Sequence, residues 1–284
     1  MEFLDGIVAA GLGVARAWWA LLAPTGLFLA LALFVQGRAA LRPSQVLRQS
    51  VLFNVSITAL NAVFLMPIIP VVWSAINQLP GFGLQSFWTT VPSPALFLIV
   101  LFVSDFFAYW RHRLEHSVIL WPVHSLHHSD PAMNWTTLER FHPINRLTTY
   151  AIDTALLALL GFPPEALAFN ALVRHYYGFI LHMDLPWTYG PLGRVFVSPV
   201  MHRWHHAQEA RAFGSNFASI FSIFDRAFKT HYCPGVCDAP LGVEGASGNV
   251  VDELIHPFRP SSYSTLPFRL DAPTAKPAEM HPRL

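Results

Sequence analysis

Eight of the chain's 14 histidines fall into three tight groups: His112-Arg-Leu-Glu-His116, His124-Ser-Leu-His-His128 and His202-Arg-Trp-His-His206. Residues three and four apart share one face of a helix, so each group presents two or three imidazoles toward one point. A lone histidine in a core is ordinarily a hydrogen-bonded structural residue. Eight of them at face-sharing spacing, beside hydrophobic stretches where unpaired polar groups are costly, require a common partner. Neutral imidazole is the commonest nitrogen ligand of metals, and one ion takes about four to six donors. The pattern therefore predicts helices that converge on two metal ions. Zinc, copper, nickel and iron all suit imidazole, and the ligands alone leave that choice open. A zinc hydrolase needs about three protein ligands and a water, which leaves most of these histidines over.

The chain around the histidines reads as membrane protein. Apolar residues make up 53% and charged residues only 12%, against about 25% charged in a soluble domain. A net charge of +1 without a basic stripe excludes a general nucleic-acid binder. Three stretches are long enough to cross a bilayer, which takes roughly 20 apolar residues. They lie within 7–35 (most cleanly 18–35), at 51–75 and at 94–110. A fourth apolar region, 147–181, is broken at Gly161-Phe-Pro-Pro164 and reads as a helical hairpin. Arg38, Arg42 and Arg48 follow the first span and Arg111, Arg113, Arg140 and Arg146 the third; arginine-rich sides face the cytoplasm. The start, Met-Glu-Phe-Leu-Asp, lacks the basic region of a cleaved signal peptide, so the first segment reads as retained. The expected fold is all-α: an integral, multi-pass transmembrane helix bundle of three clear spans plus the hairpin. A histidine-rich helical cap lies on its cytoplasmic side. Beyond about residue 257 the Pro-, Ser- and Thr-rich tail is expected to be extended or disordered.

Asp105 lies seven residues before His112, two helical turns away on the same face. A carboxylate inside a span is expensive. It reads either as an acceptor that orients a ligand imidazole through its other N–H or as a helix-packing hydrogen-bond partner. His112-Arg-Leu-Glu115-His116 also matches the inverted zinc-protease pattern, with Glu115 as base, a membrane zinc hydrolase that leaves the other clustered histidines unexplained. Cys233 and Cys237, the only cysteines, read as ordinary thiols.

At these residues the sequence resembles the fatty acid hydroxylase / sterol desaturase superfamily of membrane di-iron, histidine-box oxidases. The similarity covers roughly 97–232. It includes Asp105-Phe-Phe-Ala-Tyr-Trp-Arg-His112 before the first box, and His128-Ser-Asp-Pro-Ala-Met-Asn134 then Arg140-Phe-His142-Pro143 after the second. Gly190-Pro-Leu-Gly193 precedes the third box and the run 216–230 follows it. The resemblance implies that His112, His116, His124, His127, His128, His202, His205 and His206 bind two Fe ions, with His182 as a further ligand between the boxes. Asn134 and His142 join Asp105 as candidates for positions behind the ligands, and His175 stays open between structural and functional roles. His231, His256 and His281 are not assigned to the site. The resemblance further implies an O2-dependent oxidoreductase, a lipid hydroxylase, desaturase or monooxygenase. Its substrate comes from the bilayer and its electrons from a ferredoxin or cytochrome b5-like donor with its reductase. It divides the chain into N-terminal spans (1–93), a catalytic domain (94–232) and a partly disordered tail (233–284). A non-catalytic metal-binding membrane protein is the other class left open. Asn145, where the family often has Glu, and Phe224, where it often has Trp, are departures expected to mark the subfamily without touching the boxes.

Overall fold

Pro92 and Pro94 start the longest described helix, because proline's fixed φ and missing N–H suit a first helical turn. This helix, α5 (Ser93–Glu115), is visible in a computed structural model that describes residues 26–35, 37 and 41–263. Before it come α1 (Gly26–Val35), α2 (Gln45–Leu65), α3 (Ile69–Ile76) and the single turn α4 (Gln85–Trp88). After it come α6 (Trp121–His128), α7 (Pro143–Leu159), α8 (Pro164–His182) and α9 (Pro199–His205), then the short α10 (Ile223–Ala227) and α11 (Val250–Ile255). No strand occurs among the described residues, only an isolated antiparallel bridge between Ala207 and Leu241. The regular structure of the described residues is all-helical.

Two helices, α2 and α5, are long and apolar enough to cross a membrane among the described residues. The span expected at 94–110 runs on to Glu115 and so delivers His112 within the same helix. The span expected at 51–75 is not continuous. Helix α2 starts at Gln45, capped by Ser44, and stops at Leu65; α3 begins at Ile69. Pro67 and Pro70 cause the break, since each lacks the N–H that a helix interior needs. The first span lies largely outside the described residues, which hold only its end as α1. The hairpin is present: α7 and α8 are separated by Gly161, at φ 73°, and Phe162-Pro163. Its tip is tied down by Trp88 Nε1 donating to Leu160 O (2.7 Å).

The buried face of α2 is polar, which separates it from an ordinary lipid-facing span. Ser50, Asn54 and Asn61 lie on it with Phe53 and Ile57. Ser50 Oγ donates to Asp130, Asn54 Nδ2 to Asp130 and Thr136, and Asn61 Nδ2 to Phe141 O (2.8 Å). The fully buried Arg140 donates to Leu126 O and Ser129 O, carbonyls at the end of α6, and stacks over Phe53 at 3.8 Å. A cation at a helix C-terminus stabilises it, and α6 carries the second histidine group. Within 233–263, part of the segment expected as a partly disordered tail, Cys237 and Leu241 join a core cluster and α11 is packed. Val250 and Leu254 of α11 cover Phe53, Ile57 and Leu126, because their apolar side chains close the open side of α6. The expected disorder beyond that falls on residues outside the described ones.

Candidate metal centre

The last turn of α5 brings His112 and the capping His116. Helix α6 brings His124, His127 and His128; the end of α8 brings His182; and α9 with its cap brings His202, His205 and His206. Two clusters result. His112, His116, His124, His128 and His205 form one, and His127, His182, His202 and His206 the other, with the nitrogens of each within 4.8 Å of one another. The second and third sequence groups are therefore not each aimed at a single point. His124 and His128 stand one turn apart on one side of α6, while His127 points to the other cluster. On α9, His205 separates in the same way from His202 and His206. The clusters adjoin, with the His128 and His206 rings stacked at 4.4 Å.

Tautomers are fixed by what lies behind the rings. His112 Nδ1 donates to Phe217 O (2.8 Å), His205 Nδ1 to Ser215 O (2.7 Å) and His182 Nδ1 to Gly178 O (2.7 Å). A carbonyl only accepts, so the proton is on Nδ1 and the Nε2 lone pair faces the cluster. His112 Nε2 and His205 Nε2 then lie 3.0 Å apart, lone pair to lone pair, with no proton between them. Both nitrogens of His116 and of His206, and Nδ1 of His127 and of His202, are buried without a hydrogen-bond partner among the described residues. Burial first, and repulsion among neighbouring imidazoles second, holds His116, His128 and His206 well below 6.5. Burial takes His205 down to about 3. A cluster of neutral, inward lone pairs with orphaned nitrogens calls for cations, and protons are excluded by burial. The donor set fits metals that favour imidazole.

That protonation pattern has a sign. Between about pH 3 and 6.5 the unfolded chain binds more protons at His205 than the folded one. The metal-free protein should keep its full stability above pH 6.5 and lose it as pH falls toward 3. A melting temperature of chelator-stripped protein that does not fall on acidification from neutral pH to about pH 5 would contradict this.

Behind His124 stands a relay that the sequence reading did not anticipate. Asn145 Nδ2 donates to Glu115 Oε1 (2.7 Å), which fixes the amide so that Oδ1 accepts from His124 Nδ1 (3.1 Å). Asn145 thus touches a box histidine directly and is more than a mark of subfamily. Its position three residues after His142, at the start of α7, was the available signal. Glu115 also accepts from Arg111 Nη1 (2.8 Å) and Thr149 Oγ1 (3.2 Å), which leaves it poorly suited to act as a free base. Replacing Asn145 by alanine leaves Glu115 and His124 each short of a partner. Such losses behind a ligand cost about 10–100-fold in metal affinity or activity; an unchanged metal titration in Asn145→Ala would refute the relay.

The candidates expected behind the ligands are placed elsewhere. Asp105 does not face an imidazole. It accepts the backbone N–H groups of Ser219, Ile220 and Phe221 and the Arg174 guanidinium. Asp225 takes the preceding two, from Phe217 and Ala218. Five consecutive backbone donors are thus held by two carboxylates, and the carbonyl at the start of this loop is the one on His112. The two-turn spacing that aligned Asp105 with His112 is real, but the loop comes between them. Asn134 caps the 3-10 turn Trp135–Glu139. His142 caps α7 and its Nε2 meets Leu254 O (3.1 Å). Neither side chain is bonded to a clustered histidine among the described residues. Asn216, at φ 59°, is in the left-handed region that Asn tolerates better than other non-glycine residues, and its amide is bonded to Met201 O and Tyr232. This kink aims the carbonyls on either side, Ser215 and Phe217, at His205 and His112. His175 is 40% exposed at its side chain and packs on Phe179, and His231 pairs with Arg226.

A cavity of about 520 Å³ opens over the clusters, bounded by α5, α7 and α8. His112, His124, His127, His182 and His202 line one end, and Leu157, Leu167, Leu181 and Trp73 supply apolar wall. Phe141, stacked on His127 at 4.4 Å, covers the floor beside it.

Residues 97–230 match the fatty acid hydroxylase family model. The chain is 31% identical over 170 residues to an ornithine lipid hydroxylase of Rhizobium tropici, covering 58% of this chain and 51% of that protein. It is 31% identical over 155 residues to the human alkylglycerol monooxygenase, covering 54% and 32%. With the C-4 methylsterol oxidase of Schizosaccharomyces pombe it shares 25% over 190 residues, covering 57% and 56%. The chain thus spans about half the length, or less, of the first relatives it matches. No solved structure matches it. By its matched region and these relatives, the chain is similar to the fatty acid hydroxylase / sterol desaturase superfamily.

Proposed function

We propose that the chain is a membrane-embedded oxygenase that hydroxylates or desaturates a lipid with O2, using two irons held by the nine clustered histidines. One observation carries the reading: nine buried or half-buried imidazoles form two adjoining clusters, and His112, His124, His127, His182 and His202 of them line one end of a cavity with apolar wall at Leu157, Leu167 and Leu181. The five-histidine cluster would hold one ion and the four-histidine cluster the other. Bound iron supplies the redox chemistry with O2 that breaks an unactivated C–H bond. In hydroxylation one oxygen atom enters the substrate and the other leaves as water, with two electrons and two protons supplied from outside. A ferredoxin or cytochrome b5-like protein with its reductase is the donor this balance calls for.

The protein's own residues hold, orient and shield. Phe217 O, Ser215 O and Gly178 O keep protons on Nδ1, so that Nε2 is always the ligand atom. Phe141 and Trp121 pack flat or tilted against box rings and keep water from their faces. The apolar walls take an alkyl chain and present it to the histidine end. Helices α2 and α5 set this unit in the bilayer. The arginines that follow the spans support a cytoplasmic side for the histidine end. The unit is the segment 94–232, with 1–93 as its N-terminal spans, and Val250 and Leu254 of the following segment pack on its outer side.

The test is purification in detergent from iron-replete cells, metal analysis, and assay of lipid extracts with O2 and a reductant. About two irons per chain and an O2-dependent lipid product are expected. Zinc alone, with no such product, would overturn the reading.

A further inference from the structure

The cavity continues well past the histidines. Asn170, Arg174, Gly178 and His182 follow one another at four-residue steps down one face of α8, and all four line it. At 1.5 Å per residue, Asn170 lies about 18 Å from His182 along the helix. Arg174 is committed to Asp105 and to Ser219 Oγ, and His182 Nδ1 to Gly178 O. Asn170 is different. Its side chain is 6% exposed, and its Oδ1 is buried with no hydrogen-bond partner among the described residues. Leu157 and Leu167 line the same cavity. A buried amide left unpaired bears its whole desolvation cost, and native structures avoid this unless something else completes the site.

The chemistry of that completing group follows from the amide. A carbonyl oxygen can only accept, so hydrocarbon, ether and ester groups cannot serve it. If the amide is turned the other way, the NH2 needs an acceptor. A hydroxyl both donates and accepts and satisfies either orientation.

We propose that the cavity takes an aliphatic lipid bearing a hydroxyl, that Asn170 binds this hydroxyl, and that the distance from Asn170 to the histidines selects the carbon to be oxidised. This deepens the oxygenase reading and rests on it for the last clause only. Asn170 is a specificity residue. It lies too far from the histidines to take part in the chemistry.

The experiment uses the full chain in detergent and two probes, hexadecan-1-ol and hexadecane, with binding followed by titration calorimetry. The alcohol should bind about tenfold more tightly than the alkane to the unaltered protein. Asn170→Leu should abolish that preference while metal content and melting temperature are kept. Asn170→Ser, which retains a hydroxyl, should preserve part of it. With longer alcohols, the oxidised carbon should stay at a fixed distance from the hydroxyl. Equal affinities for both probes in the unaltered protein would overturn the proposal, whether or not the variants fold. So would a preference that survives Asn170→Leu, or oxidation at a fixed distance from the methyl end. A preference for the alcohol without any oxidised product would leave Asn170 as the hydroxyl site and count against the oxygenase reading instead.

Discussion

Alanine at His205 is expected to reduce lipid oxidation by at least about 100-fold and to lower bound metal with it. His205 is the only member of the third box in the five-histidine cluster. Its ring is held by Ser215 O, and its Nε2 faces that of His112 at 3.0 Å. His127→Ala should do the same in the other cluster, where His127 is the only member from the second box. Metal per chain, measured by elemental analysis, should fall in each variant toward the single ion that the intact cluster retains. Full metal content and full turnover in both would refute the two-cluster cage.

Asp105→Ala should act through the fold, and strongly. The substitution strands three backbone N–H groups and leaves the Arg174 guanidinium without its carboxylate. Removing one partner of a buried, hydrogen-bonded charge costs about 3–5 kcal/mol. The expected result is a large drop in melting temperature in detergent, with or without metal present. Had Asp105 oriented an imidazole directly, the loss would fall on metal affinity and leave the metal-free protein as stable as before. That second outcome would refute the role in the loop. Asp105→Asn, which keeps an acceptor but loses the charge, should fall between the two.

The histidine groups were legible because helical spacing is a local property: residues three or four apart share a face wherever the helix goes. The division of those groups between two centres was not, since it depends on how α6 and α9 face each other. His182 was found through family resemblance, and the structure brings it beside His127 and His202. Asp105 shows the limit of spacing arguments. Two turns placed it correctly on the helix but gave no notice of a loop more than a hundred residues away that would occupy it. Asn145 shows the reverse error: a residue set aside as a departure from the family pattern lies against His124. Backbone carbonyls of Ser215 and Phe217 leave no side-chain signature at all. Asn216 between them, a residue that tolerates the left-handed region, was the one available sign. Among the spans, hydropathy located α2 and α5, while Pro67 and Pro70 decided where the second apolar stretch stops being a helix.

The neutral state of the buried imidazoles has a consequence for how metal enters. Most imidazole sites must shed protons to take up an ion, so their affinity rises with pH and uptake acidifies the solution. Here burial has already removed those protons from residues such as His128, His205 and His206. Loading the folded chain near neutral pH should therefore be proton-silent. Its heat should be the same in buffers of different ionisation enthalpy, and its affinity should be flat across the range in which free histidine titrates.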